Sequence, residues 1–306
     1  MSAAASLLAL KRFVPRSWKD RVRTEREWWR FVLGDGRAIR SGRVPVVVVY
    51  TMGKVGSTAL VTALEAAGVR PVLHVHEIVP ANVDAVRRFY AAESKRMRTR
   101  VPVDRLRLRL HDWTWKHVAV RDRPAKWITV VRRPLDREVS TAIHNLRWLL
   151  GDEYEGLREV PAEIARRLVE RMRTGFRGGG RTTLDWFDTE LRAALGVDVY
   201  AQPFPHEAGY AVLRQGAVEL LVLKLETDDA VKERALAEFL GVPGVSIPRA
   251  NVSAERDDAA AHAGLREHLR LPDDVLARFL DARYTRHFHT PEEIEAMRAR
   301  WSERTA

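Results

Sequence analysis

Cysteine is absent from the chain. That removes disulfides, zinc–thiolate sites, iron–sulfur clusters and cysteine nucleophiles in one step, and it is compatible with a reducing compartment. Long apolar runs are also missing; none approaches the ~20 residues that span a bilayer. The opening M-S-A-A-A-S-L-L-A-L-K-R places a short apolar stretch before its charges. A secretory signal has the opposite order, so the sequence predicts a mature chain that starts near Met1 and stays in the cytoplasm. Acidic residues fall short of basic ones, 41 against 52, and nearly all of the +11 excess is arginine. Such a chain favours anionic partners: nucleotides, acidic glycans, nucleic acid or anionic lipid. A solvated arginine-rich surface accounts for the bulk charge equally well. No helix-turn-helix, zinc finger or RNA-recognition motif is present, so nucleic acid is not an expected partner.

What is there suits a globular α/β protein. The 306 residues are 46% hydrophobic and 30% charged, without repeats or low-complexity tracts. Residues 1–44 read as a basic, partly helical arm. In it Leu7, Leu8 and Leu10 precede Trp18, Trp28, Trp29 and Phe31, with arginines between. The arm either caps the core or lies on a membrane surface, at the inner face in a cytoplasmic protein; capping is the preferred reading. Residues 45–306 read as one domain. P-V-V-V-V-Y at 45–50 is a continuous β-branched run, the pattern of a strand buried on both faces. A polar turn follows, then a helical segment closed by Gly68. Further strands are expected at 71–75, 127–131 and 218–226. Helices are expected at 81–99, after 131 through 150, and at 160–174, 182–195, 229–240, 257–269 and 273–283. T-P-E-E at 290–293 announces a last helix, with Thr290 as N-cap, Pro291 at the first position and Glu293 closing a capping box. This alternation predicts a central, mainly parallel sheet flanked by helices in three layers.

The strongest chemical feature is T-M-G-K-V-G-S-T at 51–58, between a buried strand and a helix. Backbone N–H groups of Gly53, Lys54, Val55, Gly56, Ser57 and Thr58 can converge on a phosphate there, helped by the helix N-terminus. Lys54 adds a mobile charge, and Ser57 and Thr58 add hydroxyl donors. It is not a Walker A loop, because its lysine precedes the final glycine by two residues rather than following it. A second feature is V-R-R-P-L-D-R-E-V-S at 131–140. Arg132 at a strand end offers paired donors to a phosphate, and Ser140 offers a hydroxyl from the next helix. An ordinary surface-arginine role is the plain alternative.

H-V-H-E at 74–77 closes the second strand. Alternation puts His74 and His76 on one side and Val75 and Glu77 on the other. Ligands of open parallel sheets bind beyond the carboxyl ends of the strands, so His76 is the first choice as a general base, His74 the second and Glu77 the third. H-x-H without a nearby third ligand is a poor metal site, and none is predicted.

K-x-G-[ST]-[ST] in the first loop resembles the 5′-phosphosulfate loop of sulfotransferases that use 3′-phosphoadenosine 5′-phosphosulfate (PAPS). V-R-R-P-L-D-R-E-V-S resembles their 3′-phosphate segment, with Arg133 in place of the usual Asp or Asn and Arg137 at an often basic position. The resemblance implies a P-loop-like sulfotransferase fold, PAPS as donor, the 3′,5′-bisphosphate as product and no metal requirement. It implies Lys54 at the leaving oxygen, a histidine or glutamate as base, which leaves His76, His74 and Glu77 open, and Arg132 and Ser140 on the 3′-phosphate. N-V-S-A-E-R at 251–256 resembles the late loop over the nucleotide, which would place Asn251, Ser253 and Arg256 there; a plain turn explains it as well. Within that superfamily the chain resembles bacterial capsular polysaccharide synthesis proteins, through M-G-K-V-G-S-T, H-V-H, D-W-F-D-T-E-L, L-V-L-K-L-E and R-H-F-H-T-P-E-E-I. That implies a glycan or glycolipid acceptor, for which Trp186, Phe187 and Tyr210 could line a cleft, although helix core is the simpler place for Trp186 and Phe187. Asp185 and Asp188 receive no role. A degenerate P-loop kinase and a non-catalytic binder of anionic glycan or nucleic acid are the competing readings. The kinase lacks a convincing strand-end aspartate, since 218–226 ends in Lys224 and Glu226.

Overall fold

The computed structural model describes residues 16–96, 104–121, 123–144, 162–174, 183–248 and 269–302. Its centre is a five-stranded sheet of order β2-β1-β3-β5-β4. The strands are β1 (Val46–Tyr50), β2 (Val72–Val75), β3 (Ala125–Val131), β4 (Tyr210–Gln215) and β5 (Val218–Lys224). β1 pairs in parallel with β2 and β3, and β3 in parallel with β5. β4 runs antiparallel on the edge, Tyr210 opposite Leu223. Every residue of β1 is buried, as its unbroken apolar run requires of a strand covered on both faces. Burying each such valine stabilises the fold by roughly 1.5–3 kcal/mol.

Helices flank this sheet. In chain order they are α1 (Arg16–Leu33), α2 (Asp35–Arg40), α3 (Ser57–Ala66), α4 (Pro80–Arg96), α5 (Arg105–Thr114), α6 (Pro134–His144), α7 (Ala162–Thr174), α8, α9 (Asp229–Leu240), α10 (Asp273–Leu280), α11 (Arg283–Phe288) and α12 (Pro291–Trp301). A π-helical turn, Trp115–Ala119, extends α5. The element α8 is itself π-helical over Phe187–Arg192 before Ala193–Leu195. The expected strands and most expected helices are present, with ends shifted by a few residues. α9 has the expected bounds, and Gly241 caps it at φ 69°. The T-P-E-E capping box is complete on both sides. Residues 257–268 lie outside the described residues.

Two elements depart from the sequence reading. α5 was not expected: R-L-R-L-R-L-H alternates like a strand, yet Asp104 caps it as a helix by accepting from the Arg107 N–H at 2.9 Å. Its far end buries His111, Trp113 and Thr114. β4 was not expected either, because an edge strand with exposed Arg214 and Gln215 carries no clean apolar period.

The arm is divided between two environments. Trp28 and Phe31 pack against the main core, and Ile39 of α2 is fully buried in it. Trp29 is 54% exposed. A second cluster joins Leu135, Val139, Ala142 and Ile143 of α6 to Leu168 and Met172 of α7 and to Leu276, Phe279, Met297 and Trp301 near the C-terminus. It backs α6, the helix that carries Arg137 and Ser140.

Candidate functional site

The chain leaves β1 toward β2 on one side and returns to β3 on the other. The crevice between the carboxyl ends of β1 and β3 is therefore the topological switch point, where open sheets of this kind bind ligands. Loop 51–58 follows β1 there, and segment 131–140 follows β3.

The first loop is built from unusual backbone. Lys54 has φ 69°, a conformation that costs a side-chain-bearing residue roughly 1–2 kcal/mol and concentrates at functional sites. Gly56 has φ 78° and caps α3; a Cβ there would sit 2.8 Å from Leu225 Cδ1. So Gly56 is favoured by its left-handed conformation, whereas the Leu225 contact is with a side-chain tip that can turn away. Gly53 differs, because a Cβ there would meet nothing within 4 Å; the space above it is open. Val55 is buried and anchors the turn. Ser57 is buried with its Oγ 2.9 Å from His74 Nε2, whereas Thr58 is exposed.

The two predicted loops are joined directly. Arg132 donates from Nη1 to the Lys54 carbonyl at 2.7 Å, and Arg137 donates from Nε to the Gly53 carbonyl at 3.0 Å. Arg137 also meets buried Glu138 at 2.7 Å, and Thr183 donates its hydroxyl to the same carboxylate at 2.5 Å. Arg132 is held at its backbone by Tyr284, whose hydroxyl donates to the Arg132 carbonyl at 2.8 Å and accepts from its N–H at 3.0 Å. Arg133 N–H donates to Glu226 at 2.8 Å, and the buried Arg133 Nε has no hydrogen-bond partner. Ser140 is half-exposed on α6.

The histidines stand at the next strand end. His74 and His76 share one side as alternation requires, their rings 4.9 Å apart, and Glu77 is buried. His76 Nδ1 lies 2.6 Å from the Thr51 carbonyl. A carbonyl only accepts, so Nδ1 carries the proton and Nε2 is left with a lone pair. Burial lowers His76 to about 4; Glu77 opposes this, while Arg107 and His111 lower it further. Burial lowers His74 to about 3, with His76 and Arg107 acting in the same direction. Both rings are therefore neutral at ordinary pH, and burial makes each a weaker base than a free imidazole. Among the described residues no group of three His, Asp or Glu side chains could hold a metal ion.

Several site residues were not anticipated. His111 accepts from the His76 N–H at 3.3 Å. Glu190 collects Tyr50 OH and Ile78 N–H at 2.5 Å each, Val79 N–H at 3.0 Å, and the Asn82 amide. Burial raises its carboxyl, and these donors work against that. Glu190 belongs to D-W-F-D-T-E-L, so the motif was visible, but its outer aspartates drew notice instead; Asp188 is exposed beside Arg192. Trp186 and Phe187 are buried, and Trp186 Nε1 donates to the His76 carbonyl at 3.1 Å. Trp186 braces the end of the His76 strand and Phe187 packs on Tyr284 and Phe288, so neither lines an open cleft. Tyr210 is half-buried on the edge strand. Asn251, Ser253 and Arg256 lie outside the described residues.

Residues 178–290 match the family described as "Putative capsular polysaccharide synthesis protein". No curated protein and no solved structure matches the chain. The matched stretch omits both predicted loops but contains Glu226 and Tyr284, which hold the second loop, and Trp186 and Glu190, which hold the end of the histidine strand. In this stretch the chain is similar to a capsular polysaccharide synthesis family.

Proposed function

We propose that the protein is a sulfotransferase that moves the sulfuryl group of PAPS to a hydroxyl of a glycan or glycolipid acceptor, on a P-loop-like sulfotransferase fold. The observation that carries this reading is the meeting of K-V-G-S-T and V-R-R-P-L-D-R-E-V-S at the switch point, tied by Arg132 and Arg137 to the loop carbonyls. The residues fit an anionic nucleotide. Open space over Gly53 would admit a phosphate close to the backbone, and the unpartnered Arg133 Nε is a buried donor that an anion would satisfy. The capsular family matched by residues 178–290 supports a glycan as acceptor.

In this reading Gly53, Lys54, Val55, Gly56, Ser57 and Thr58 hold the 5′-phosphosulfate, and Arg132 and Ser140 hold the 3′-phosphate. Ser57 comes to the task already bonded to His74. His76 Nε2 takes the acceptor's hydroxyl proton as the acceptor oxygen bonds to sulfur and the bond from sulfur to the 5′-phosphate oxygen breaks. Lys54 offsets the charge that appears on that leaving oxygen. The work is positioning and electrostatics. Losing Lys54 should raise the barrier by ~2.7–4 kcal/mol, as for a single oxyanion donor.

The test is calorimetric titration with 3′-phosphoadenosine 5′-phosphate, without Mg²⁺, on wild type, Lys54→Ala and Arg132→Ala. Micromolar binding that weakens in the Arg132 variant is the expected result. A folded wild-type protein that does not bind would overturn the reading and favour the kinase or the non-catalytic binder.

A further inference from the structure

α1 has two faces with different uses. Its inner face is fully engaged. Phe31 meets Trp113 edge-on at 4.9 Å, Trp28 lies 5.7 Å from Phe31, and Glu25 takes both Arg109 guanidinium nitrogens at 2.6 and 2.8 Å. These contacts seat the helix without help from the opposite side. On that side Val22, Trp29 and Leu33 are 46%, 54% and 67% exposed. Their spacing of seven and four residues puts them in one stripe along the helix. They are three of the four exposed large apolar side chains among the described residues. Exposed Arg26 lies within the stripe and exposed Arg30 beside it; exposed Glu27 falls away from both.

Scattered exposed apolar residues need no explanation, but a single stripe of Trp, Leu and Val edged by arginine does. A tryptophan sits well where an apolar phase meets water, and arginine complements an anionic headgroup. No described helix is long and apolar enough to cross a membrane, so the stripe is a surface contact, not a span. The chain's net +11 adds long-range attraction of the same sign. We propose that α1 docks on an anionic lipid surface through Val22, Trp29 and Leu33, with Arg26 and Arg30 on the headgroups. The helix thereby links the core, through Trp28 and Phe31, to the membrane interface.

The experiment is co-sedimentation of the full chain with vesicles of phosphatidylcholine alone or with one quarter phosphatidylglycerol. Wild type should bind the anionic vesicles, bind the neutral ones weakly, and dissociate as salt rises. Trp29→Ser/Leu33→Ser should lower binding roughly tenfold or more. Arg26→Gln/Arg30→Gln, which leaves the apolar residues in place, should weaken binding to anionic vesicles by roughly tenfold. Far-ultraviolet circular dichroism and 3′-phosphoadenosine 5′-phosphate titration report folding and the nucleotide site separately, so failure here leaves the sulfotransferase reading standing. Equal binding by wild type and both variants, or no binding by wild type, overturns the proposal. A concentration-dependent dimer that Trp29→Ser/Leu33→Ser abolishes, without vesicle binding, would assign the stripe to a second copy of the chain instead.

Discussion

At the carboxyl ends of β1 and β2 the enclosed polar groups include the Glu190 and Glu77 carboxylates, a phenol and three imidazoles, with no cation bonded to Glu190 among its four donors. At the ends of β3 and β5 they are paired ions. Lys224 Nζ bonds both Glu293 oxygens at 2.6 Å, and Arg137 meets Glu138. Both halves hold the same crevice, but by different means. Neutral donors around Glu190 set the position of the His76 strand, and burial keeps the His74 and His76 rings uncharged. Ion pairs tie Lys224 of β5 to Glu293 and Arg137 of α6 to Glu138, and so fix one of the two arginines that reach the first loop. The proposed proton acceptor and the proposed anion site call for those two different environments.

Removing the hub on the first side should have the largest effect. Glu190→Ala leaves Tyr50 OH and two backbone N–H groups buried without their acceptor, and the Asn82 amide with the Thr189 carbonyl alone. A loss of roughly 3–5 kcal/mol in denaturant unfolding is expected, with Glu190→Gln in between. A loss under about 1 kcal/mol would show that the carboxylate is not what holds this side. On the second side, Lys224→Met should cost less, roughly 2–3 kcal/mol, because Glu293 is 26% exposed and keeps its Thr290 contacts. If Lys224→Met proves the worse lesion, the ranking of the two halves reverses.

Acid should separate the halves next. His74 and His76 ionise in the fold near 3 and 4, against an ordinary 6.5. The unfolded chain therefore binds more protons below 6.5, and their contribution is lost as pH falls from 6.5 toward 4. Glu293 is depressed below its ordinary 4.5, chiefly by neighbouring His289 at 3.6 Å and also by Lys224. Its contribution is complete above 4.5 and is lost as pH falls beneath that. Melting curves across pH should show His74→Gln/His76→Gln flattening the upper window and Lys224→Met flattening the lower. Identical slopes in all three proteins would count against the division. The smallest effect is expected for Tyr284→Phe, which removes both hydroxyl bonds to Arg132. About 1 kcal/mol of stability should go, together with a measurable weakening of 3′-phosphoadenosine 5′-phosphate binding. Unchanged affinity would separate Tyr284 from the anion clamp.

Much of the fold was legible because local chemistry and burial agree. A four-valine run has few choices besides a strand covered on both faces, and Thr290 with Glu293 makes a helix start from its own side chains. α5 was illegible for the reverse reason. Its alternating leucines suit a strand, and only a cap at Asp104 and a buried far end make it helical. In the site, Lys54, His76 and Arg132 stand out by residue type and by position at strand ends. Glu190, His111 and Tyr284 do not. Each acts across at least 35 residues of sequence, on a backbone group that no local pattern names.

The sequence alone determined β1, β2, β3 and β5, to within a few residues, and which loops follow them, since those depend on nearest neighbours, apolar period and turn chemistry. It also determined that His74 and His76 share a side, because strand geometry allows nothing else. Only the tertiary structure decided that the two loops meet, that Thr51 orients the His76 ring, and that Glu190 rather than its aspartate neighbours faces inward. Those outcomes depend on strand order and on which distant donors enclose a buried acceptor. They are long-range satisfactions of hydrogen bonds, which burial makes compulsory and sequence spacing does not reveal.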